Sequence, residues 1–83
     1  MSKKRSRDQL IARILTSCQG DGANKTKIVY KAGLNFKTII PYLSLLTEKG
    51  HIESEDRDIT VYRTTQKGME ALEALRIVEE IYS

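Results

Sequence analysis

The chain has one cysteine, one proline, one phenylalanine and no tryptophan. Cys18 alone excludes an internal disulfide, and with His51 as the sole histidine there is no ligand set for a protein zinc site. Cys18 therefore reads as a small buried hydrophobe in a reducing compartment, and the expected location is cytoplasmic. No apolar run approaches the roughly 20 residues that span a bilayer, so no membrane role is expected. The basic start Met1-Ser2-Lys3-Lys4-Arg5 leads into no apolar stretch and is not read as a secretory signal. There is no glycine loop that would cradle phosphate, no nucleophile beside a base and no metal-ligand cluster, so neither an enzyme nor a cofactor is expected.

What is present is charge, unevenly placed. The net charge of +3 over 83 residues conceals two opposed halves. Residues 1–37 hold nine Lys/Arg against Asp8 and Asp21, a balance of +7. Residues 38–83 hold five Lys/Arg against nine Asp/Glu, a balance of −4. Basic charge gathered in one half suits a polyanionic partner. At this length the chain supports one hydrophobic core and no second one.

The apolar pattern divides that core among short elements. Ser6-Arg7-Asp8-Gln9 has the form of a capping box, followed by Leu10, Ile11, Ile14, Leu15 and Cys18 on one helical face. Gly20-Asp21-Gly22 ends this first helix. Asn24 caps a second helix over 25–31, with Ile28, Val29 and Ala32 inward. Gly33 supplies a turn residue that tolerates positive φ, Leu34 plugs the turn, and Asn35 caps a third helix. That helix places Phe36, Ile39, Leu43 and Leu46 inward and Lys37, Pro41, Ser44 and Glu48 outward. Pro41, six residues in, is expected to bend the helix or to delay its start. After Gly50 the period changes to two. Residues 51–54 and 59–64 form a hairpin around a polar turn over 55–58, acidic at Glu55, Asp56 and Asp58. Thr65 caps a last helix, Gln66 to Tyr82, with a stripe of Met69, Leu72, Leu75, Val78 and Tyr82 and further apolar residues Ala71, Ala74, Ile77 and Ile81.

Three helices, a two-stranded wing and a C-terminal helix make a mainly α winged helix-turn-helix with a small β-hairpin. The expected divisions are a basic arm over 1–5, the winged domain over 6–65 and a dimerising C-terminal helix over 66–83. In such a fold the third helix can enter a major groove, while neighbouring cations hold phosphates. Lys25, Lys27, Lys31 and Lys37 are the expected phosphate contacts. Asn35, Thr38 and Tyr42 are candidates for bases or sugars, and Lys3, Lys4 and Arg5, with Arg7, for an arm along the duplex. The last helix carries more apolar surface than one small domain covers, so its remainder is either a frayed end or a dimer seam; a twofold homodimer through Met69, Leu72, Leu75, Val78 and Tyr82 is expected.

Three segments in order carry a resemblance to a known family. They are Lys25-Thr26-Lys27-Ile28-Val29-Tyr30-Lys31-Ala32-Gly33-Leu34-Asn35-Phe36, then Tyr42-Leu43-Ser44-Leu45-Leu46-Thr47-Glu48-Lys49-Gly50-His51-Ile52, then Tyr62-Arg63-Thr64-Thr65-Gln66-Lys67-Gly68. Over residues 6 to 82 the chain resembles small archaeal winged-helix proteins described as predicted transcriptional regulators. These are related to archaeal chromatin-associated winged-helix proteins that dimerise through a C-terminal helix. The resemblance implies binding of double-stranded DNA through Asn35, Phe36, Lys37, Thr38, Pro41 and Tyr42, and a homodimer through the last helix. Pro41 and the acidic wing depart from that pattern. The expected function is transcription regulation. The alternatives are an adaptor for a transcription-associated protein partner, which the acidic wing suits, and a non-specific chromatin-associated DNA binder.

Overall fold

The computed structural model describes residues 6–82, with Ser6 by its backbone alone. The elements, in order, are α1 (Ser6–Ser17), α2 (Lys25–Ala32), α3 (Phe36–Glu48), β1 (Ile52–Asp56), β2 (Thr60–Thr64) and α4 (Gln66–Tyr82). The basic arm with Lys3, Lys4 and Arg5 lies outside the described residues, as does the Ser6 side chain on which the capping box rests.

One core joins all six elements. Ile14 and Leu15 from α1, Ile28 from α2, Ile39 and Leu46 from α3, Ile52 from β1 and Leu72 from α4 are almost fully buried, with Cys18 among them. Burying side chains of this size contributes roughly 1.5–3 kcal/mol each. Val29, Leu34 and Tyr42 pack against the edge of that cluster.

The turns follow the backbone needs of the sequence. Asn24 caps α2 and Asn35 caps α3, each side-chain oxygen accepting from an amide three residues on, at 2.8 Å. Gly33 ends α2 at φ 69°, and its N–H and that of Leu34 both donate to the Val29 carbonyl, at 3.0 and 3.2 Å. A side chain there would sit in the left-handed region, which glycine occupies freely.

The wing is a two-stranded antiparallel hairpin, with Glu53 opposite Arg63 and Ser54 opposite Tyr62. Its first strand runs two residues further than the sequence pattern predicts. Glu55 and Asp56 are not turn residues but the end of β1, facing Val61 and Thr60. Asp56 holds its place by accepting from the Thr60 hydroxyl at 2.9 Å, so the turn itself is residues 57–59. Period-two apolar patterning cannot reveal a strand end in which every side chain faces water.

Two sets of hydrogen bonds fix the wing to the helices. Ala23 and Tyr62 exchange N–H···O=C bonds, both 2.8 Å, so the α1–α2 connection adds an isolated bridge beside the hairpin. At the other end, the Thr64 N–H donates to the Cys18 carbonyl at 3.0 Å and its hydroxyl to the Leu15 carbonyl at 2.6 Å. The first satisfies a carbonyl that the end of α1 leaves open, and the second adds to the bond that the Leu15 carbonyl already accepts from the Cys18 N–H at 3.3 Å. The Thr65 hydroxyl then accepts from the Gly68 N–H and donates to the Gly50 carbonyl, capping α4 against the end of α3. Gly68 is required by contact rather than by φ: a Cβ there would collide with the His51 carbonyl oxygen and come within 2.7 Å of Thr64 Cγ2.

Two expectations about packing are corrected. Phe36 is not a core residue: it is 49% exposed, because the first turn of α3 projects past the cluster that Ile39 begins. The stripe on α4 does not act as one surface either. Leu72 is buried in the protomer's own core and Leu75 is half-buried, while Val78 and Tyr82 stand in solvent. Helix α1 is the shorter partner, and the last turns of α4 extend beyond what it covers.

Candidate nucleic-acid interface

The helix-turn-helix places charge where the backbone already concentrates it. Lys25 and Lys27 lie in the first turn of α2 and Lys37 in the first turn of α3, all exposed. Neither first turn holds an acidic residue, and no carboxylate pairs with these lysines among the described residues. A helix N-terminus carries about half a positive charge, so a lysine there is disfavoured by about 0.3–1 kcal/mol within the protomer alone. An anion reverses the sign of that term, since both the ammonium and the free amides attract it.

Lys31 has a different setting from the other three. It lines an open cleft of about 380 Å³ with Ala12, Arg13, Thr16, Ser17, Leu72, Arg76 and Glu79, between α1, the end of α2 and α4. Arg13 there donates a long 3.5 Å hydrogen bond to the Ala32 carbonyl. Lys31 thus stands among Arg13 and Arg76 at the α1–α4 side, one helical turn along α2 from Lys27.

Along α3 the exposed residues are Phe36, Lys37, Ile40, Pro41, Ser44, Thr47 and Glu48, which at about 100° per residue share one arc of the helix, with Thr47 and Glu48 at its C-terminal end. Thr38 and Tyr42 are half-buried on its flank, Tyr42 packing against the core. The Asn35 oxygen is engaged as the α3 cap. The helix runs without interruption through Pro41, whose missing N–H leaves the Lys37 carbonyl without its intrahelical donor on the exposed side. Ile40, 42% exposed, was not among the sequence candidates. Its neighbour Ile39 is fully buried, and two adjacent isoleucines give no sign in sequence of which one faces out.

The wing handles its cations in the opposite manner. Arg57 pairs with Glu55 at 3.0 Å, and Arg63 pairs with Glu55 at 3.3 Å and Glu53 at 3.7 Å. The hydrogen bond and charge of Arg57, with a smaller contribution from Arg63, hold the Glu55 carboxyl below its usual range. Both arginines are thus neutralised within the hairpin, and Asp56 and Asp58 leave its tip negative.

The Cys18 thiol is suppressed as a nucleophile: burial pushes it up to about 11, against a smaller opposing pull from Lys31. Among the described residues, no group of three or more His, Cys, Asp or Glu could hold a metal ion, and no helix is long and apolar enough to cross a membrane.

Known proteins share this architecture. The winged helix-turn-helix family matches residues 4–83. The crystal structure of Sso10a-2, a DNA-binding protein from Sulfolobus solfataricus, superposes with a TM-score of 0.85 at 24% identity, covering 94% of this chain and 82% of that one. At that identity the likeness is one of fold. A comparison with curated proteins finds no match. The family match over nearly the whole length, together with the helix-turn-helix and its hydrogen-bonded wing, leads to one assignment: the chain belongs to the winged helix-turn-helix family.

Proposed function

We propose that the chain is a DNA-binding transcriptional regulator that acts as a homodimer, a binding protein rather than an enzyme. The observation that carries this is the placement of Lys25, Lys27 and Lys37 on two helix N-termini that lack any carboxylate. In this reading those lysines and the first-turn amides hold phosphates while the exposed arc of α3 enters the major groove. The DNA-binding activity named for Sso10a-2, a protein of the same fold, supports it.

The dimer rests on the far end of α4. Ile77, Val78, Ile81 and Tyr82 are 48%, 47%, 67% and 84% exposed and adjoin one another on the helix. A second copy packing along this end buries them, with Leu75 at the margin; Leu72 takes no part, being used in the protomer core. Met69 belongs less clearly to that seam, since its sulfur already accepts from the Gln19 amide at 3.3 Å.

Fluorescence anisotropy with genomic duplexes across a salt series tests the DNA reading. The expected log–log slope is about −0.9 for each phosphate neutralised, with a preference among fragments. Absence of binding at low salt overturns it. Equal affinity for all sequences, with cooperative coating, assigns a chromatin-associated role instead. Sedimentation with the paired substitutions Ile77→Glu and Ile81→Glu tests the dimer: wild type sediments as a dimer and the variant as a folded monomer.

The net negative wing favours one second reading, an adaptor for a transcription-associated protein with a basic surface. Loss of such a partner on Glu53→Gln and Glu55→Gln, with no DNA bound by either form, selects that reading.

A further inference from the structure

We infer that α3 reads the 5-methyl group of thymine in the major groove, through Ile40, with Pro41 and Phe36 as the apolar surface on either side. This rests on the DNA-binding reading above and names the chemistry that reading selects.

The argument starts from what the exposed arc of α3 can offer a base edge. Over the N-terminal part of that arc, Phe36 to Ser44, only the Lys37 ammonium and the Ser44 hydroxyl can hydrogen-bond; the Thr47 hydroxyl and the Glu48 carboxylate lie at its far end, in the last turn of α3. The bidentate groups that identify guanine or adenine, guanidinium and carboxamide, are absent from this arc. The middle of the helix presents hydrocarbon instead. Ile40 is 42% exposed and Phe36 is 49% exposed, although Ile39, Leu43 and Leu46 already supply the inward face. Pro41 brings a hydrocarbon ring and no N–H beside them.

Base edges in the major groove carry one apolar group, the C5 methyl of thymine, and aliphatic side chains contact it. An isoleucine there gains by covering that methyl and loses the gain against cytosine, which carries only hydrogen at C5. The charge around the arc selects this occupant over an apolar protein surface. Lys37 lies on the arc itself, and Lys25 and Lys27 stand on the helix packed against it. The same chemistry comes from 5-methylcytosine, and the test separates the two sources.

The probe is the duplex that the protein itself retains most tightly from a random-sequence pool. Each thymine in its footprint is replaced in turn by deoxyuridine, which removes the methyl and leaves pairing and phosphates unchanged. The expected result for wild type is a loss of about fourfold in affinity at one or two positions, the size expected for one methyl. Ile40→Ala binds the thymine and uracil duplexes equally and keeps the wild-type salt slope; the half-exposed position lets it fold, which circular dichroism checks. Cytosine at the sensitive position binds more weakly, and 5-methylcytosine recovers the loss, because it restores the methyl that is read. Equal binding of thymine and uracil duplexes by wild type overturns the proposal while leaving DNA binding intact. So does retained discrimination in Ile40→Ala. If wild type retains no duplex from the pool, both this inference and the DNA-binding reading fall.

Discussion

The helix-turn-helix and the wing each carry basic side chains, yet they treat them in opposite ways. Lys25, Lys27 and Lys37 occupy helix N-termini with no acid in either first turn. Arg57 is paired with Glu55, and Arg63 with Glu53 and Glu55 across the hairpin. In the first region positive charge accumulates against the helix dipoles; in the second it is cancelled within a few ångströms. Counting cations would rank the two regions alike. Their surroundings suit the helices to the phosphate contact proposed for them and leave the wing as a strap, hydrogen-bonded to Ala23 on one side and to the end of α1 on the other.

The strongest way to break that arrangement is at the joint. Gly68→Ala drives a methyl into the His51 carbonyl and Thr64, so α4 and β2 cannot both keep their positions. We expect a loss of about 3 kcal/mol or more in denaturant unfolding. An unchanged midpoint would show that α4 sits further from the wing than its contacts indicate.

A second comparison is between the lysines themselves. Lys27→Ala and Lys37→Ala should each weaken DNA binding by about fivefold for all sequences and reduce the salt slope by about one. Arg57→Ala and Arg63→Ala should change affinity by less than about twofold, because neutralised arginines release few counterions. Equal losses in the two sets would mean that the wing opens its ion pairs to reach the duplex.

The seam between α1 and β2 can be followed by pH. The buried Cys18 thiol titrates near 11 in the folded chain, against an ordinary value of 9.0. A raised value means that the folded state keeps a proton the unfolded chain releases. The stabilisation is complete below pH 9 and is lost as pH rises from 9 towards 11. Melting temperatures of wild type should therefore fall more steeply across that window than those of Cys18→Ala. Parallel curves would place the thiol in water.

The smallest effect is expected from freeing the wing. Glu53→Gln with Glu55→Gln removes the partners of Arg57 and Arg63 and adds up to two positive charges' worth of phosphate attraction. Exposed pairs contribute little to stability, so the melting point should hold within a degree or two. DNA affinity should rise by about twofold at low salt and not at high salt. A fall in affinity would make the carboxylates part of the interface.

Much of this was legible in residue order. Asn24 and Asn35 as caps, Gly33 as the turn, Thr65 at the start of α4 and the six-element order all follow from local chemistry, because caps and turns are settled within four or five residues. The reading was weaker wherever a side chain's fate depended on a distant element. Phe36 fits an inward helical row, but nothing in α3 tells how far the core extends towards its first turn. Leu72 and Val78 sit on one stripe, but α1 covers only the first of them. Lys31 follows Lys27 by one turn of α2, but nothing local tells that Arg13 and Arg76 also stand beside it.

The sequence by itself determined the elements, their caps and the division of charge into a basic half and an acidic half. Those depend on hydrogen bonds and periodicities within single helices and one hairpin. Only the tertiary structure decided which cations stay unpaired, which of two adjacent isoleucines faces outward on α3, and where the apolar face of α4 leaves the protomer's core. Each of these is a question of which surface a neighbouring element covers, and burial by a residue dozens of positions away leaves no local trace in the chain.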